Sequence, residues 1–187
     1  INKKNLIEYI LSGVLFHGLY LGGVFYSISI GIPTGIAALI VTLQPILTNA
    51  LSGSILGEKV TMKQWIGVLL GFVGAALVLG FDVGSDIPLL GLVATIIALI
   101  AITTSTIWQK KLSNNLSLPV SNFYQAVGGC LFHILIMVIF TEPYIDFTKT
   151  FIIAMSHQIF FVSFGAFTIL MFLIKKNSAS KTVSIFF

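Results

Sequence analysis

Five long stretches of this chain contain no Asp, Glu, Lys or Arg, and they limit what the chain can fold into. They cover residues 9–57, 64–81, 87–109, 112–141 and 150–174. About 20 apolar residues in helical conformation are enough to cross the ~30 Å hydrocarbon core of a bilayer. The stretches lack the two-residue alternation that is typical of membrane β-strands. The sequence therefore predicts an all-α integral membrane protein.

The first stretch is too long for one span, and it breaks at a Gly/Pro turn over residues 29–33. Six membrane helices are predicted, at residues 6–30, 34–56, 64–81, 88–109, 120–140 and 151–174, with a seventh beginning near Lys181. Composition agrees, because 9% of the residues are charged and a soluble domain carries about 25%. The single cysteine, Cys130, excludes a disulfide within the chain and a CxxC metal site.

The lysines predict the orientation of these helices. If the loops are assigned alternately to the two sides, nine of the ten lysines fall on one side. They are Lys3, Lys4, Lys59, Lys63, Lys110, Lys111, Lys175, Lys176 and Lys181. The other side holds Lys149 and several acidic residues. By the positive-inside rule, the lysine-rich loops are cytoplasmic and the protein lies in the cell (inner or plasma) membrane as a multi-pass protein.

An internal repeat is suggested by a shift of 147 residues, which places Gly18 on Gly165 and Phe25 on Phe172. The first copy runs outward and the second inward, as in the inverted repeats of many secondary transporters. Five helices per repeat would give ten helices in a chain of about 290 residues. We therefore expect a ten-helix inverted-repeat (5+5) fold, of which this chain holds helices three to eight and the start of helix nine. On this view the chain is truncated at both ends.

Residues 33–58 form the most unusual predicted span. Gln44, Thr48 and Ser52 recur every fourth residue and share a helix face, and Pro45 loosens the preceding turn. A polar stripe beside a proline kink favours a helix that lines a cavity. We interpret this helix as the centre of a permeation pathway, with Gln44, Pro45 and Thr48 as candidate substrate-binding residues. Alternatively, Gln44 holds two helices together.

Four further polar residues are candidate substrate-binding residues, and each also has a structural interpretation. Tyr20 and Ser27 share one face of the first span, and Thr104 belongs to a run of four hydroxyl residues. His157 lies near the outer end of the last span and is a candidate proton carrier. All four could instead form hydrogen bonds within their own helix or to a neighbouring one.

Small residues on the third predicted helix indicate close packing. Gly67, Gly71 and Ala75 follow each other at four-residue spacing, which lets another helix approach closely. The partner could be a helix of the same chain or a second copy, so a homodimer is left open. Glu58 ends the preceding helix beside Lys59, where a solvated carboxylate is the simplest interpretation.

Several segments together resemble the EamA family of the drug/metabolite transporter superfamily. They are HGLYLGGVFYSISIGIPTGIAALIVTLQPILT from His17, LGEKV, QWIGVLLGFVGAALVLG, TIWQKKL and FLIKKNSASKTVSIFF. The matching features are the mid-helix Pro45, the Gly57-Glu58 pair and the glycine-rich helix that follows. The resemblance implies ten helices in two repeats, with residues 1–81 giving helices three to five of the first and residues 82–187 belonging to the second. It also implies a gating or helix-positioning role for Glu58.

The function expected from this resemblance is export of small metabolites or drugs by alternating access between the two repeats. The alternatives are an intramembrane enzyme and a truncated chain without activity. The sequence has no GxSG, no HExxH and no pair of acids within a span, so no catalytic or metal-binding residue and no cofactor is assigned. The expected partners are a small-molecule solute and the lipid bilayer. Nucleic acid is not expected, because the basic residues are scattered between apolar runs.

Overall fold

Six helices make up most of the computed structural model, which describes residues 3–79, 87–113, 115–140, 145–179 and 181–182. The helices are α1 (Lys3–Gly13, Val14–Leu21 and Gly22–Ser29), α2 (Thr34–Val41 and Gln44–Leu56), α3 (Met62–Leu79), α4 (Leu89–Leu112), α5 (Leu118–Phe140) and α6 (Lys149–His157, Gln158–Ala166 and Phe167–Lys176). No strand occurs within the described ranges. The all-α fold class is confirmed.

Five of the helices are long and apolar enough to cross a membrane, namely α1, α2, α4, α5 and α6. The apolar part of α3, Met62–Leu77, is shorter than a full span. The predicted end of that helix, at residues 80 and 81, lies outside the described residues. A further helical turn follows α6, because the Lys181 amide bonds the Ser178 hydroxyl at 3.1 Å and the Thr182 amide bonds the Ser178 carbonyl at 3.0 Å. It begins where the seventh helix is predicted.

The turn between α1 and α2 forms where the sequence predicts it. Gly31 adopts a positive φ of 107°, a conformation that side chains with a Cβ rarely take. The Ile32 amide then donates to the Ser27 carbonyl at 3.0 Å, which ties the turn to the end of α1. Pro33 precedes the first residue of α2. The chain therefore reverses direction within the predicted residues.

Helix α2 is interrupted at Thr42 and Leu43, directly before the Gln44-Pro45 pair. Since Pro45 has no backbone N–H, it cannot continue the i to i−4 hydrogen-bond ladder. The Leu43 amide bonds the Ile40 carbonyl at 3.1 Å, three residues back instead of four. The helix ends at Gly57, which has a left-handed φ of 68°. The predicted kink and helix end are both present.

Two helices contain a π-helical segment in mid-span, at Val14–Leu21 in α1 and at Gln158–Ala166 in α6. Such segments are rare and often occur at functional sites. Under the shift of 147 residues the first segment falls on residues 161–168, which overlaps the second in six residues. The likeness agrees with the proposed repeat. The assignment of residues 1–81 and 82–187 to two repeats stays a prediction.

Helix α4 is the centre of the packing, with the largest buried share among the five long helices. It contacts α1, α2 and the C-terminal part of α6. Helix α1 crosses α5 at glycines, where a Cβ on Gly13 would meet the Gln125 backbone and a Cβ on Gly128 would meet the Ile10 carbonyl. The outward sides of α3, α5 and α6 expose large apolar side chains, as expected of surfaces that face lipid.

The predicted packing face of α3 lies against α2. Gly67, Gly71 and Ala75 line a small cavity of about 60 Å³ together with Thr42 and Pro45 of α2. A Cβ added to Gly67 would meet no atom within 4 Å. A Cβ on Gly13 or Gly128 would, in contrast, collide with a backbone oxygen, so the α1–α5 crossing is the tighter of these two contacts. The sequence analysis did not single it out.

Candidate functional site

A wide cavity with a volume of about 800 Å³, partly open because Phe123, Phe164 and Cys130 of its wall are exposed, lies between α1, α5 and α6. Its wall runs along α5 from Pro119 to His133, which corresponds to about 21 Å of helix. This volume is typical of sites for small molecules, which measure about 300–1,000 Å³. We call it the α1–α5–α6 cavity. The three helices that surround it are each long enough to span the membrane.

Both π-helical segments contribute to the wall of the α1–α5–α6 cavity. The first supplies His17 and Leu21, and the second supplies Ile159, Ser163 and Phe164. Irregular helical backbone at membrane depth is tolerated where it is buried in protein or lines a cavity. Transporter sites commonly lie between two such interrupted helices. The cavity is thus placed where the backbone departs from regular α-helix on two sides.

The His17 side chain is held by aromatic rings and keeps one nitrogen unpaired. Its ring contacts Phe16 and Phe167 in edge-to-face geometry, with ring centroids 5.0 and 4.7 Å away. Its Nε2 is buried and has no hydrogen-bond partner among the described residues. Gly129 of α5 makes room for this side chain, because a Cβ there would collide with the His17 Cβ. An unpaired buried nitrogen is costly unless a ligand or water bonds it.

Two residues of α5 add polar groups to the same wall. The His133 Nε2 donates to the His17 carbonyl at 2.9 Å, which fixes the position of the second imidazole. The Asn122 Nδ2 donates to the Thr168 hydroxyl at 3.4 Å, while its Oδ1 is buried without a partner in the described part of the chain. One end of the Asn122 amide is therefore unpaired in the described part of the chain.

The rest of the cavity wall is uncharged and mostly apolar, with Cys130, Ser163 and Thr168 as its other polar residues. Phe123, Phe164 and Phe167 supply aromatic surface, and Pro119 and Ala126 supply aliphatic surface. None of its lining residues is Asp, Glu, Lys or Arg. An apolar wall with a few hydrogen-bonding groups is the usual composition of a small-molecule site.

The polar stripe of α2 lies elsewhere, against α4. The Gln44 Nε2 donates to the Thr106 hydroxyl at 3.1 Å, and Gln44, Thr48 and Ser52 are all buried. Pro45 lines the small cavity beside α3. The structure thus places this helix face in an interhelical contact and not in the α1–α5–α6 cavity. The substrate-binding roles of Gln44, Pro45 and Thr48 stay predictions.

The other predicted substrate-binding residues are dispersed. The Tyr20 ring packs on Phe16 with centroids 5.8 Å apart, and the Ser27 hydroxyl donates to the carbonyl of residue 24 at 2.8 Å. Thr104 lines a separate groove of about 290 Å³ near the end of α4. His157 is exposed, stacks on Phe161 at 5.2 Å and lines a third groove. The structure does not bring these four residues together.

A buried polar cluster at the crossing of α1, α4 and α5 was missed by the sequence analysis. The Gln109 Nε2 donates to the Ser105 hydroxyl at 3.1 Å and to the Gln125 Oε1 at 2.7 Å. The Ser105 hydroxyl donates to the Ser12 carbonyl at 3.0 Å. The sequence feature that could have indicated this cluster is the occurrence of glutamines inside charge-free stretches. Their meeting depends on how three separate helices cross, which no local pattern reveals.

Glu58 and Lys110 meet the break between α6 and the helical turn that follows it. The Glu58 Oε1 accepts from the Ala179 amide at 2.8 Å. The Lys110 Nζ donates to the carbonyls of Ile174, at 2.9 Å, and of Asn177. The cation thus lies at the C-terminal end of α6, whose dipole it complements, and the anion bonds an amide of the turn that follows. The helix-positioning and gating roles implied for Glu58 stay predictions.

Comparison with known proteins shows what this chain is similar to. Residues 1–80 match the EamA-like transporter family. The "Uncharacterized transporter YvbV" of Bacillus subtilis is 26% identical over 172 residues, which are 86% of this chain and 55% of that protein. The "Probable amino-acid metabolite efflux pump" of Salmonella typhimurium is 27% identical over 96 residues, 51% of this chain and 32% of that protein.

A second Bacillus subtilis protein, the "Uncharacterized transporter YyaM", is 33% identical over 81 residues, which cover 41% of this chain and 25% of that protein. The chain thus spans about half the length of the first of these relatives and less of the other two. The match at residues 1–80 includes the kinked α2 and Glu58, which carry the resemblance seen in the sequence. Residues 1–80 are therefore similar to the EamA-like transporter family, and the chain is similar over 86% of its length to a protein named as a transporter.

Proposed function

We propose that the protein exports a small, neutral or zwitterionic solute across the cell membrane by alternating access, and that the α1–α5–α6 cavity holds the solute. The observation that carries the proposal is the cavity itself. It has a volume of about 800 Å³ between three membrane-spanning helices, and its wall includes the unpaired His17 Nε2 and Asn122 Oδ1. Unpaired buried polar atoms in an apolar wall suit a site that a solute completes.

The packing of α6 supports movement at this site. The C-terminal part of α6 packs on α4 and α5, while the side chains of residues 152–164 are exposed. The junction between these two parts lies at the second π-helical segment, Gln158–Ala166. A helix that is anchored at one end and irregular in the middle can swing at the other end without breaking its packed contacts. Such a swing would widen or narrow the cavity.

An enzyme and an inactive truncated chain remain the alternatives to transport. The family and the names of the relatives favour a transporter over an enzyme. Counterflow with the 187-residue chain itself, beside the full gene product, tests the last alternative, because a chain without activity of its own would move no solute.

The native thiol of Cys130 offers a direct test, because this exposed cysteine is part of the cavity wall. The full gene product, with any other cysteine replaced, would be reconstituted in liposomes and screened by counterflow with amino acids, nucleosides and cationic drugs. We expect N-ethylmaleimide to block transport by filling the cavity. The transported solute should slow this alkylation, and Cys130→Ala should transport normally and resist the reagent.

The outcome that contradicts the proposal is equally direct. If fully alkylated Cys130 leaves transport unchanged, or if the solute fails to protect the thiol, the solute does not pass through the α1–α5–α6 cavity. If no solute moves with the unmodified protein, transport itself is not supported.

A further inference from the structure

The charges and hydrogen-bonding groups of the α1–α5–α6 cavity restrict the class of solute. Its lining residues include two imidazoles, one amide, two hydroxyls and one thiol, and no acidic or strongly basic side chain. An ammonium or a carboxylate group in this cavity would meet a mostly apolar wall and gain no counter-charge from the lining. A zwitterion would have both problems at once. The cavity therefore favours a solute without formal charge.

Asn122 specifies a hydrogen-bonding group on that solute. Its Nδ2 is engaged with Thr168, and its Oδ1 is a buried acceptor without a partner among the described residues. A carbonyl oxygen can only accept, so the matching solute group is an N–H or O–H donor. The unpaired His17 Nε2 provides a second contact, as donor or acceptor according to its tautomer.

The remaining wall matches an apolar body. Phe123, Phe164 and Phe167 lie on α5 and α6 around these polar groups, and Leu21 and Ile159 extend the apolar surface. A solute that is mostly apolar buries its surface here and loses little hydration. Polar and apolar parts of the wall thus define an uncharged amphiphile.

We propose that the solute is an uncharged amphiphile that donates a hydrogen bond to the Asn122 Oδ1 and contacts the His17 Nε2, and that zwitterionic amino acids are disfavoured. This proposal rests on the proposed function, because it takes the cavity as the solute site. It goes further by replacing the choice between neutral and zwitterionic solutes with one class.

Matched probes test the class directly. Binding of L-leucine, L-phenylalanine and L-alanine to the purified full gene product would be compared with binding of the corresponding N-acetyl amino-acid amides. Each pair shares a side chain, but the amides are uncharged and carry N–H donors. We expect at least one amide to bind at least tenfold more tightly than its amino acid.

Variants locate the contact. Asn122→Leu should weaken binding of that amide about five- to tenfold, which corresponds to the loss of one hydrogen bond. His17→Phe keeps a flat ring and should weaken binding to a similar or smaller extent. Thr103→Val is the control, since the Thr103 hydroxyl bonds the Leu99 carbonyl within α4 and lies outside the cavity.

Three results would overturn the inference. They are tighter binding of the amino acids, no binding of any amide, and amide binding that Asn122→Leu and His17→Phe both leave unchanged. Each can occur while counterflow and Cys130 protection still show transport through the cavity. Failure of this inference is therefore distinguishable from failure of the proposed function.

Discussion

Replacing Gln44 by leucine should weaken the fold and leave transport per folded molecule unchanged. Gln44 is 3% exposed, and its Nε2 donates to the Thr106 hydroxyl at 3.1 Å, which joins α2 to α4 beside the Pro45 kink. A leucine fits an apolar helix contact without adding an unpaired polar group. The Thr106 hydroxyl also keeps its own bond to the Ile102 carbonyl, at 2.8 Å.

The expected loss in the free energy of unfolding depends on whether a substitution leaves a buried polar group without a hydrogen-bond partner. Hydrogen bonds between membrane helices contribute about 0.6 kcal/mol on average and about 1.7 kcal/mol at most, so Gln44→Leu should cost roughly 0.5–1.5 kcal/mol. Thr106→Val removes the hydroxyl that accepts this hydrogen bond. The buried Gln44 amide is then left without a partner, which costs about 1–3 kcal/mol. Thr103→Val is the matched control, because this buried threonine bonds only the Leu99 carbonyl of its own helix.

Denaturant unfolding of the full gene product in detergent, together with counterflow per folded molecule, would measure both effects. A double-mutant cycle between Gln44→Leu and Thr106→Val should give a coupling energy of about 0.6–1.7 kcal/mol. A coupling energy of zero would contradict the interhelical hydrogen bond. Normal stability with a several-fold loss of transport in Gln44→Leu would show instead that the amide binds solute, as the sequence analysis predicts.

Three further predictions concern packing, helix positioning and orientation. Gly128→Ala should destabilise the protein by about 1–3 kcal/mol, because the added methyl group would collide with a backbone carbonyl of α1. At Gly67 an added methyl group would meet no atom, so the Gly67→Ala variant should unfold at the wild-type midpoint. Glu58→Gln should lower stability by roughly 0.5–1.5 kcal/mol, since a neutral amide oxygen accepts the hydrogen bond from the Ala179 amide less strongly than a carboxylate. A midpoint equal to that of wild type would refute this. In a background without native cysteines, an impermeant maleimide should label Lys149→Cys and spare Lys111→Cys in intact cells, and the reverse pattern would overturn the predicted orientation.

The sequence alone was sufficient to predict where the helices run and where they are interrupted. Charge-free stretches of membrane length, the Gly31–Pro33 region and Pro45 predicted where helices run, turn and kink, and the structure confirms these features. The reason is physical, since a bilayer forces backbone hydrogen bonds to close within each segment, and Gly and Pro act on their own immediate neighbours. The family resemblance was also readable from these local features, and the match at residues 1–80 confirms it.

The candidate site depended on tertiary structure. A stripe such as Gln44, Thr48 and Ser52 shows that a helix face is polar, but it does not show whether a cavity or another helix lies opposite. Here α4 lies opposite, and the cavity forms between α1, α5 and α6.

His17 and Asn122 come together with α6 because of two features that no single segment encodes. One is the close glycine crossing of α1 and α5, and the other is the pair of π-helical segments that face one space. The sequence by itself determined where the long apolar helices lie. The helix crossings decided which of their polar groups are paired and which have no partner among the described residues, because that depends on neighbours more than 100 residues away in the chain, as between His17 and His133.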